Sequence, residues 1–232
     1  MIEIRNAQDR GHANHGWLNS YHTFSFAEYF DPAHMGWRAL RVINDDTVAP
    51  KGGFATHGHR DMEIISYVLD GELAHQDSMG SSATIRPGDV QVMSAGAGIR
   101  HSEFNASAEH PVHFLQIWIT PDRTGTAPRY QEKFFADHEK RGQLRLVVSP
   151  DGANGSLQIL QDARLYAGLL DGSETVVQAV PEGRHGYVHV ARGTLQINGT
   201  ALGAGDGARI SSEQQLTFSN GQNAEFLYFD LP

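Results

Sequence analysis

Short runs of strand-forming residues, each ended by glycine, proline, asparagine or aspartate, recur along the whole 232-residue chain. Because β proteins separate strands of about four to eight residues by tight turns, this pattern is typical of strands rather than helices. Many such strands in close succession predict an all-β sandwich or barrel. The clearest runs are EIISYVLDGEL, ATIRPGDVQVM, HFLQIWI, RLVVSPDG, YVHVARGTLQING and EFLYFDL.

A weak internal repeat indicates two related β units. SYVLDGEL in the first half and VHVARGTL in the second are both followed, after a further strand-like stretch, by a Gly-Asp turn. We therefore place an N-terminal domain at residues 1–120, a linker with a short helix at 121–144 and a C-terminal domain at 145–232. The chain is long enough for one large core or two small ones.

One stretch, PRYQEKFFADHEKRG, favours a helix. Pro128 can begin a helix and Gly142 can end it. We expect this helix to join the two units, with its aromatic side chains packed against them rather than binding a ligand. The residues predicted near its buried face are Tyr130, Phe134, Phe135 and His138.

Composition excludes several classes of protein. The chain has no cysteine, so no disulfide or zinc-thiolate scaffold is available. A formal net charge of -9 disfavours direct nucleic-acid binding, which needs a basic surface, but leaves a protein partner open. The sequence shows neither a leader pattern nor an apolar run of the roughly eighteen residues that a membrane span requires. We therefore expect a cytoplasmic protein with no membrane segment.

Two pairs of residues have the spacing of metal ligands. His57 and His59 are two positions apart, as are His101 and Glu103, and side chains at such positions lie on the same face of a strand. Three imidazoles and one carboxylate form a mixed nitrogen and oxygen donor set without thiolate. That set suits Fe(II), Mn(II), Ni(II), Cu(II) or Zn(II) and leaves positions open for exchange. Glu63 has the same strand parity as His57 and His59, so spacing alone leaves it as a competing ligand.

The other histidines and the early aromatic residues have weaker indications of function. A structural hydrogen bond is the expected role of His75. We expect surface or packing roles for the histidines near the start of the chain, His12, His15, His22 and His34. The nearby aromatic residues are expected to pack in the core at one end of a barrel rather than stack on a substrate; they are Tyr21, Phe24, Phe26, Tyr29 and Phe30.

The histidine motifs resemble the two motifs of the cupin superfamily, with departures that are themselves informative. Gly52 is one residue too close to His57, Ser94 stands where proline is usual, and two extra residues precede His101. These departures are similar to those of one cupin subgroup, the pirin family. The resemblance covers most of the first 120 residues and rests on SYHTFSFAEYFDP, HGHRDMEIISYVLDGELAHQDSMG, IRPGDVQVMSAGAGIRHSEFN and LQIWI.

The resemblance implies a bicupin, two cupin-type β-barrels joined by a short helical linker, with metal ligands in the first barrel alone. Pirin's ligands fall on His57, His59, His101 and Glu103, which leaves Glu63 as a buried, hydrogen-bonded carboxylate. Alignment of the two repeats agrees that the second unit has lost the ligands. It places Ala179 and Pro181 opposite His57 and His59, and Phe218 and Asn220 opposite His101 and Glu103.

The activity that the resemblance implies is that of a quercetin 2,3-dioxygenase, which opens the central ring of a flavonol with dioxygen and releases carbon monoxide. Fe(II) is the expected ion, with Zn, Mn, Ni, Cu and Co as alternatives. Glu103 would be both a ligand and the acceptor of the proton of the flavonol 3-hydroxyl. Two other functions stay open: a metal-containing protein-binding module that acts as a transcriptional cofactor or redox sensor, and a cupin isomerase that consumes no oxygen.

Overall fold

The computed structural model describes residues 1–232, and its regular secondary structure is almost entirely β-strand, as the turn-punctuated pattern predicts. Twelve of its strands lie in the first 134 residues. They are β1 (Ile2–Arg5), β2 (Gly11–Asn14), β3 (Leu18–His22), β4 (Leu40–Val48), β5 (Gly53–His59), β6 (Glu63–Asp70), β7 (Leu73–Asp77), β8 (Ser82–Ile85), β9 (Asp89–Ser94), β10 (Ile99–Asn105), β11 (Val112–Ile119) and β12 (Arg129–Phe134).

The rest of the chain adds one short α-helix, α1 (Asp137–Lys140), and eight more strands. No helix in the structure has the length and apolar character needed to cross a membrane. Single 3-10 turns lie at Ala7–Asp9 and Ala153–Gly155. The strands are β13 (Leu144–Ser149), β14 (Leu157–Gln158), β15 (Arg164–Leu170), β16 (Val176–Ala179), β17 (His185–Ile197), β18 (Thr200–Gly203), β19 (Gly207–Ile210) and β20 (Gln215–Leu231).

The strands form three sheets. A seven-stranded sheet in the order β12-β9-β6-β11-β4-β3-β2 faces a four-stranded sheet in the order β5-β10-β7-β8, and together they make the N-terminal unit. The C-terminal unit is a nine-stranded sheet along the path β1-β19-β17-β20-β15-β13-β14, with β16 paired to β20 and β18 to β17. The first strand of the chain, β1, thus pairs with β19 of the C-terminal unit. The boundaries at residues 120 and 145 stay a prediction.

The seven-stranded sheet is buried on both faces. Strand β6 shows this most clearly, because all its residues except the last are buried. Ile65 and Leu69 face the C-terminal unit and join Leu165 and Phe229 in the largest apolar core of the protein. Val68, on the opposite face, belongs to a separate core inside the N-terminal unit. Burial of both faces explains why EIISYVL reads as a continuous apolar run rather than an alternating one.

The helix predicted between residues 128 and 142 is wrong over most of its length. Residues Arg129–Phe134 are instead β12, which pairs antiparallel with β9 at the edge of the seven-stranded sheet. Extended geometry turns adjacent side chains to opposite sides, so Phe135 is fully buried while Phe134 is 60% exposed. Hydrogen bonds to the open edge of β9 outweigh the local helix preference. Only Asp137–Lys140 are helical, and they are the short helical connection that the fold prediction requires.

Candidate metal centre

Three histidines meet on the inner face of the four-stranded sheet. Strands β5 and β10 are neighbours in this sheet, and their register places His101 directly opposite His57. The Nε2 atoms of these two rings are 3.0 Å apart, and the ring of His59 lies 4.9 Å from that of His101. One nitrogen from each ring falls within 4.8 Å of the other two. Because metal–imidazole bonds are about 2 Å long, three nitrogens at this spacing fit around a single ion.

A β-bulge gives the cluster its geometry. The pairing of β10 with β5 shifts between His101 and Glu103, because His101 lies opposite His57 whereas Glu103 lies opposite Phe54. One extra residue in β5 lets Phe54 and His57, which have opposite parity in the sequence, line the same cavity. Bulges commonly redirect a side chain next to a functional site in this way.

Glu103 lies beside the histidines and forms a second cluster with His75 and His101. Its carboxylate is buried and accepts two hydrogen bonds from the facing sheet, from Gln116 Nε2 at 2.8 Å and from Ser66 Oγ at 3.2 Å. Burial raises the pKa of this carboxyl, and His75 and Gln116 offset the rise in part. The structure therefore brings together all four residues predicted from the sequence, with His101 common to both clusters. Their assignment as metal ligands stays a prediction.

Glu63 lies outside both clusters. It begins β6 in the seven-stranded sheet, whereas His57 and His59 end β5 in the four-stranded sheet. The argument from strand parity therefore fails, because the chain turns between His59 and Glu63. The Glu63 carboxylate is buried and accepts a hydrogen bond from Ser94 Oγ at 2.6 Å.

The charge state of the imidazoles fits a metal centre. Burial lowers the pKa of His101 to about 2 and that of His59 to about 4, with neighbouring histidines adding to both shifts. Both rings are therefore neutral at pH 7, and neutral imidazole is the form that binds a metal. Two hydrogen bonds orient the His75 ring. Its Nε2 atom lies 3.3 Å from Asp77 Oδ2, and its Nδ1 atom lies 3.4 Å from Gln91 Nε2.

A row of buried polar side chains crosses the seven-stranded sheet opposite the clusters. Its members are directly paired from strand to strand, and we call them the polar row: Gln91, Ser66, Gln116, Asn44 and His22. Apolar cores lie along the strands on either side of it. Two members of the row hydrogen-bond to the clusters, Gln91 to His75 and Gln116 to Glu103. At the far end of the row, His22 Nδ1 lies 2.9 Å from Asn44 Oδ1.

A cavity of about 720 Å³ leads to the histidines. His57, His59 and Glu103 lie in its wall, together with Gln116 and Asn44 of the polar row. Five aromatic side chains contribute to the rest of the wall. They are Trp17, Phe26, Tyr29, Phe54 and Trp118.

The early segment of the chain contributes more to this cavity than its sequence indicates. His12, His15 and His22 all line it, although we expected surface or packing roles for them. Of the five early aromatic residues, Phe24 is buried in the core as expected, whereas Phe26 and Tyr29 line the cavity and Phe30 is exposed. The density of histidine and aromatic residues between positions 12 and 30 was the available signal.

Fold and site together define a two-unit cupin-type protein whose N-terminal unit holds two adjoining clusters of histidine and carboxylate side chains. Comparison with known sequences agrees. The sequence model described as "Pirin" matches residues 3–119, and that described as "Quercetinase C-terminal cupin domain" matches residues 146–231. The chain belongs to the pirin family.

Similar proteins match over their full length. The quercetin 2,3-dioxygenase of Escherichia coli K12 is 47% identical over 232 residues, which cover 100% of this chain and 99% of that protein. A pirin-like protein of Caulobacter vibrioides is 44% identical, with 99% of each chain covered. The crystal structure of E. coli YhhW with nickel(II) has a TM-score of 0.95 and 47% identity, and the match covers 100% of this chain and 99% of that one.

Proposed function

We propose that this protein is a metal-dependent dioxygenase that opens the central ring of a flavonol such as quercetin and releases carbon monoxide. The position of His57, His59 and Glu103 carries the proposal, because these residues lie in the wall of a cavity of about 720 Å³ that five aromatic side chains also line. A cavity of this kind accommodates a flat aromatic substrate with a few polar groups in fixed positions. A relative with 47% identity over the whole chain bears the name quercetin 2,3-dioxygenase.

The proposed ligands of one divalent transition metal are His57, His59, His101 and Glu103, which belong to two clusters that share His101. Fe(II) is the expected ion, and Ni, Mn, Zn, Cu and Co suit the same ligands. A bound ion would supply Lewis acidity and a meeting point for a chelating substrate and dioxygen. The nickel(II) complex of E. coli YhhW supports a divalent ion in a similar protein.

The surrounding residues prepare the substrate for the reaction. Glu103 would take the proton of the flavonol 3-hydroxyl as the substrate binds. Gln116 and Ser66 fix its orientation by their hydrogen bonds. Trp118 and Phe54 form apolar walls that hold the rings and exclude water.

Oxygen-dependent turnover tests this function. Iron-loaded protein is incubated with quercetin, with and without oxygen, and the loss of flavonol absorbance and the release of carbon monoxide are followed. We expect one carbon monoxide released for each flavonol consumed, only with oxygen. His57→Ala and Glu103→Gln should abolish turnover, and His138→Ala, which removes an exposed histidine on α1, should not. Absence of oxygen-dependent flavonol loss in the wild type, or unchanged loss in both site variants, contradicts the proposal.

The same experiment separates the other candidate functions. A cupin isomerase would convert its substrate without oxygen. A transcriptional cofactor or redox sensor would bind the metal and show no turnover.

A further inference from the structure

Asp46 is a buried carboxyl group that the proposed mechanism does not use. It lies on β4, paired with Ser20 of β3 on one side and with Phe114 of β11 on the other. Only 3% of the residue is exposed, and its Oδ1 atom has no hydrogen-bond partner. No cation forms an ion pair with it. A buried carboxyl oxygen without a partner destabilises the fold, so its presence calls for an explanation.

The adjacent carboxyl shows what a structural aspartate on this strand looks like. Asp45 points to the opposite face of the sheet, where it pairs with Arg10 Nη1 at 3.0 Å and with His113 Nε2 at 2.6 Å. These partners hold the pKa of Asp45 well below its usual range, although burial opposes them. By contrast, burial raises the pKa of Asp46 to about 7, although the Ser20 hydroxyl offsets part of the rise; the nearby charges of Asp45 and Glu103 act in the same direction as burial.

Asp46 lines the cavity that also holds His57, His59 and Glu103. It belongs to the seven-stranded sheet, whereas these three residues belong to the four-stranded sheet across the cavity. A substrate bound at the histidines by one pair of oxygen atoms can therefore reach Asp46 with a different part of its ring system. Oδ1 is shielded from the cavity, so a ligand there meets the carboxyl group at its other oxygen, Oδ2. A carboxyl group can accept a hydrogen bond whether or not it is protonated.

We propose that Asp46 binds a hydroxyl group of the substrate remote from the metal-chelating oxygens, and so selects polyhydroxylated aromatic substrates over those with the chelating group alone. This inference rests on the proposed function, since it assumes a flavonol-type substrate. Asp46 is a specificity-determining residue in this role. A phenolic hydroxyl supplies a donor to a buried carboxyl group that no cation of the protein pairs with, and the aromatic side chains of the cavity limit the competition of water for it.

Binding under argon tests the inference without requiring turnover. The dissociation constants of iron-loaded protein are measured for quercetin and for 3-hydroxyflavone, which has the chelating group and no other hydroxyl. In Asp46→Leu we expect a quercetin Kd about 10- to 100-fold higher than in the wild type, the usual effect of losing a hydrogen bond to a charged or buried group. The Kd for 3-hydroxyflavone should change by less than about twofold.

Two further variants distinguish loss of substrate binding from loss of folding. Asp46→Asn keeps an accepting oxygen and should bind quercetin within about threefold of the wild type. Asp45→Asn, on the opposite face, should lower the urea midpoint and leave both Kd values unchanged. Asp46→Leu should raise the urea midpoint, because it removes an unpartnered buried oxygen. A structural role for Asp46 predicts a lower midpoint instead.

The outcomes distinguish this inference from the function on which it rests. Equal Kd changes for the two flavonols in Asp46→Leu, or no change for either, overturn the role of Asp46 alone. If the wild type binds neither flavonol, the proposed function fails and this inference fails with it.

Discussion

The two units of this protein share a β architecture and differ in what fills their interiors. Inside the N-terminal unit the polar row and two histidine clusters separate small apolar cores. The interior of the C-terminal unit is a continuous apolar core that includes Val190, Ile197 and Phe226. Beyond residue 120 the only buried polar residues are Lys140, Ser149, His189 and Asp230. The difference teaches that a polar site inside a cupin-type unit occupies space that an apolar core would otherwise fill, at a cost in stability.

The largest expected effect is loss of metal from the N-terminal unit. His101 belongs to both clusters, so His101→Ala should reduce bound metal from about one ion per chain to less than about a tenth. Metal content after dialysis against Fe(II) or Ni(II) is measured by elemental analysis. His138→Ala is the matched control and should retain the wild-type content. Equal metal content in His101→Ala and the wild type would place the site elsewhere.

A histidine placed in the apolar core of the C-terminal unit should destabilise that unit without creating a metal site. Phe218, which the repeat alignment places opposite His101, is fully buried in the apolar core. Phe218→His should lower the free energy of unfolding by about 4 kcal/mol, because it buries an imidazole without partners. Phe218→Leu should cost only about 1 kcal/mol. Urea unfolding measures both, and a gain of bound metal in Phe218→His would contradict the comparison.

A single buried histidine in the C-terminal unit should make stability depend on pH. Both ring nitrogens of His189 lack partners, and burial, aided by Arg10, lowers its pKa from 6.5 to about 4. The unfolded chain therefore takes up this proton first as pH falls. His189 contributes full stability above pH 6.5, and about 3 kcal/mol is lost between pH 6.5 and pH 4.

His189→Leu isolates this contribution, since the other histidines titrate in both proteins. Unfolding free energies of the wild type and the variant are compared across pH 4 to 7. As pH falls through this range, the unfolding free energy of the variant should rise by about 3 kcal/mol relative to that of the wild type. A difference between the two proteins that is constant with pH would show that His189 takes up its proton equally in the folded and unfolded states.

The smallest effect should come from Glu63. Glu63→Gln keeps an oxygen that can accept the hydrogen bond of Ser94, so metal affinity should stay within about threefold of the wild type. Glu103→Gln should lower that affinity by about 10-fold or more. Competition with a chelator measures both. A larger effect at Glu63 than at Glu103 would exchange their proposed roles.

The sequence predicted the fold better than the surroundings of the site. Strand-forming runs and their turns predict β structure through local preference. The spacing of His57 with His59 and of His101 with Glu103, together with the pirin resemblance, indicated the residues that meet. The helix predicted at residues 128–142 was wrong because an open edge of β9, distant in sequence, offers hydrogen bonds that local preference cannot anticipate.

Features that depend on distant contacts were beyond sequence reasoning. The parity of Glu63 was misleading because β5 ends at His59 and the chain passes to another sheet. The bulge opposite Ser102 changes which residues of β5 face inward, and no residue type in that stretch signals it. His12 and His22 reach the cavity through the pairing of β2 with β3 and of β3 with β4.

The apolar core shared by the two units determines how the molecule can be divided. A fragment ending near residue 120 would expose the outer face of the seven-stranded sheet, including Ile65 and Leu115, to water. It would also leave β1 without β19 and open the edge of β9 that β12 covers. Such an edge beside an apolar face invites association with other chains. The C-terminal unit thus keeps the outer face of the N-terminal unit out of water, and a single-unit enzyme cut from this chain would need a redesigned surface to stay in solution.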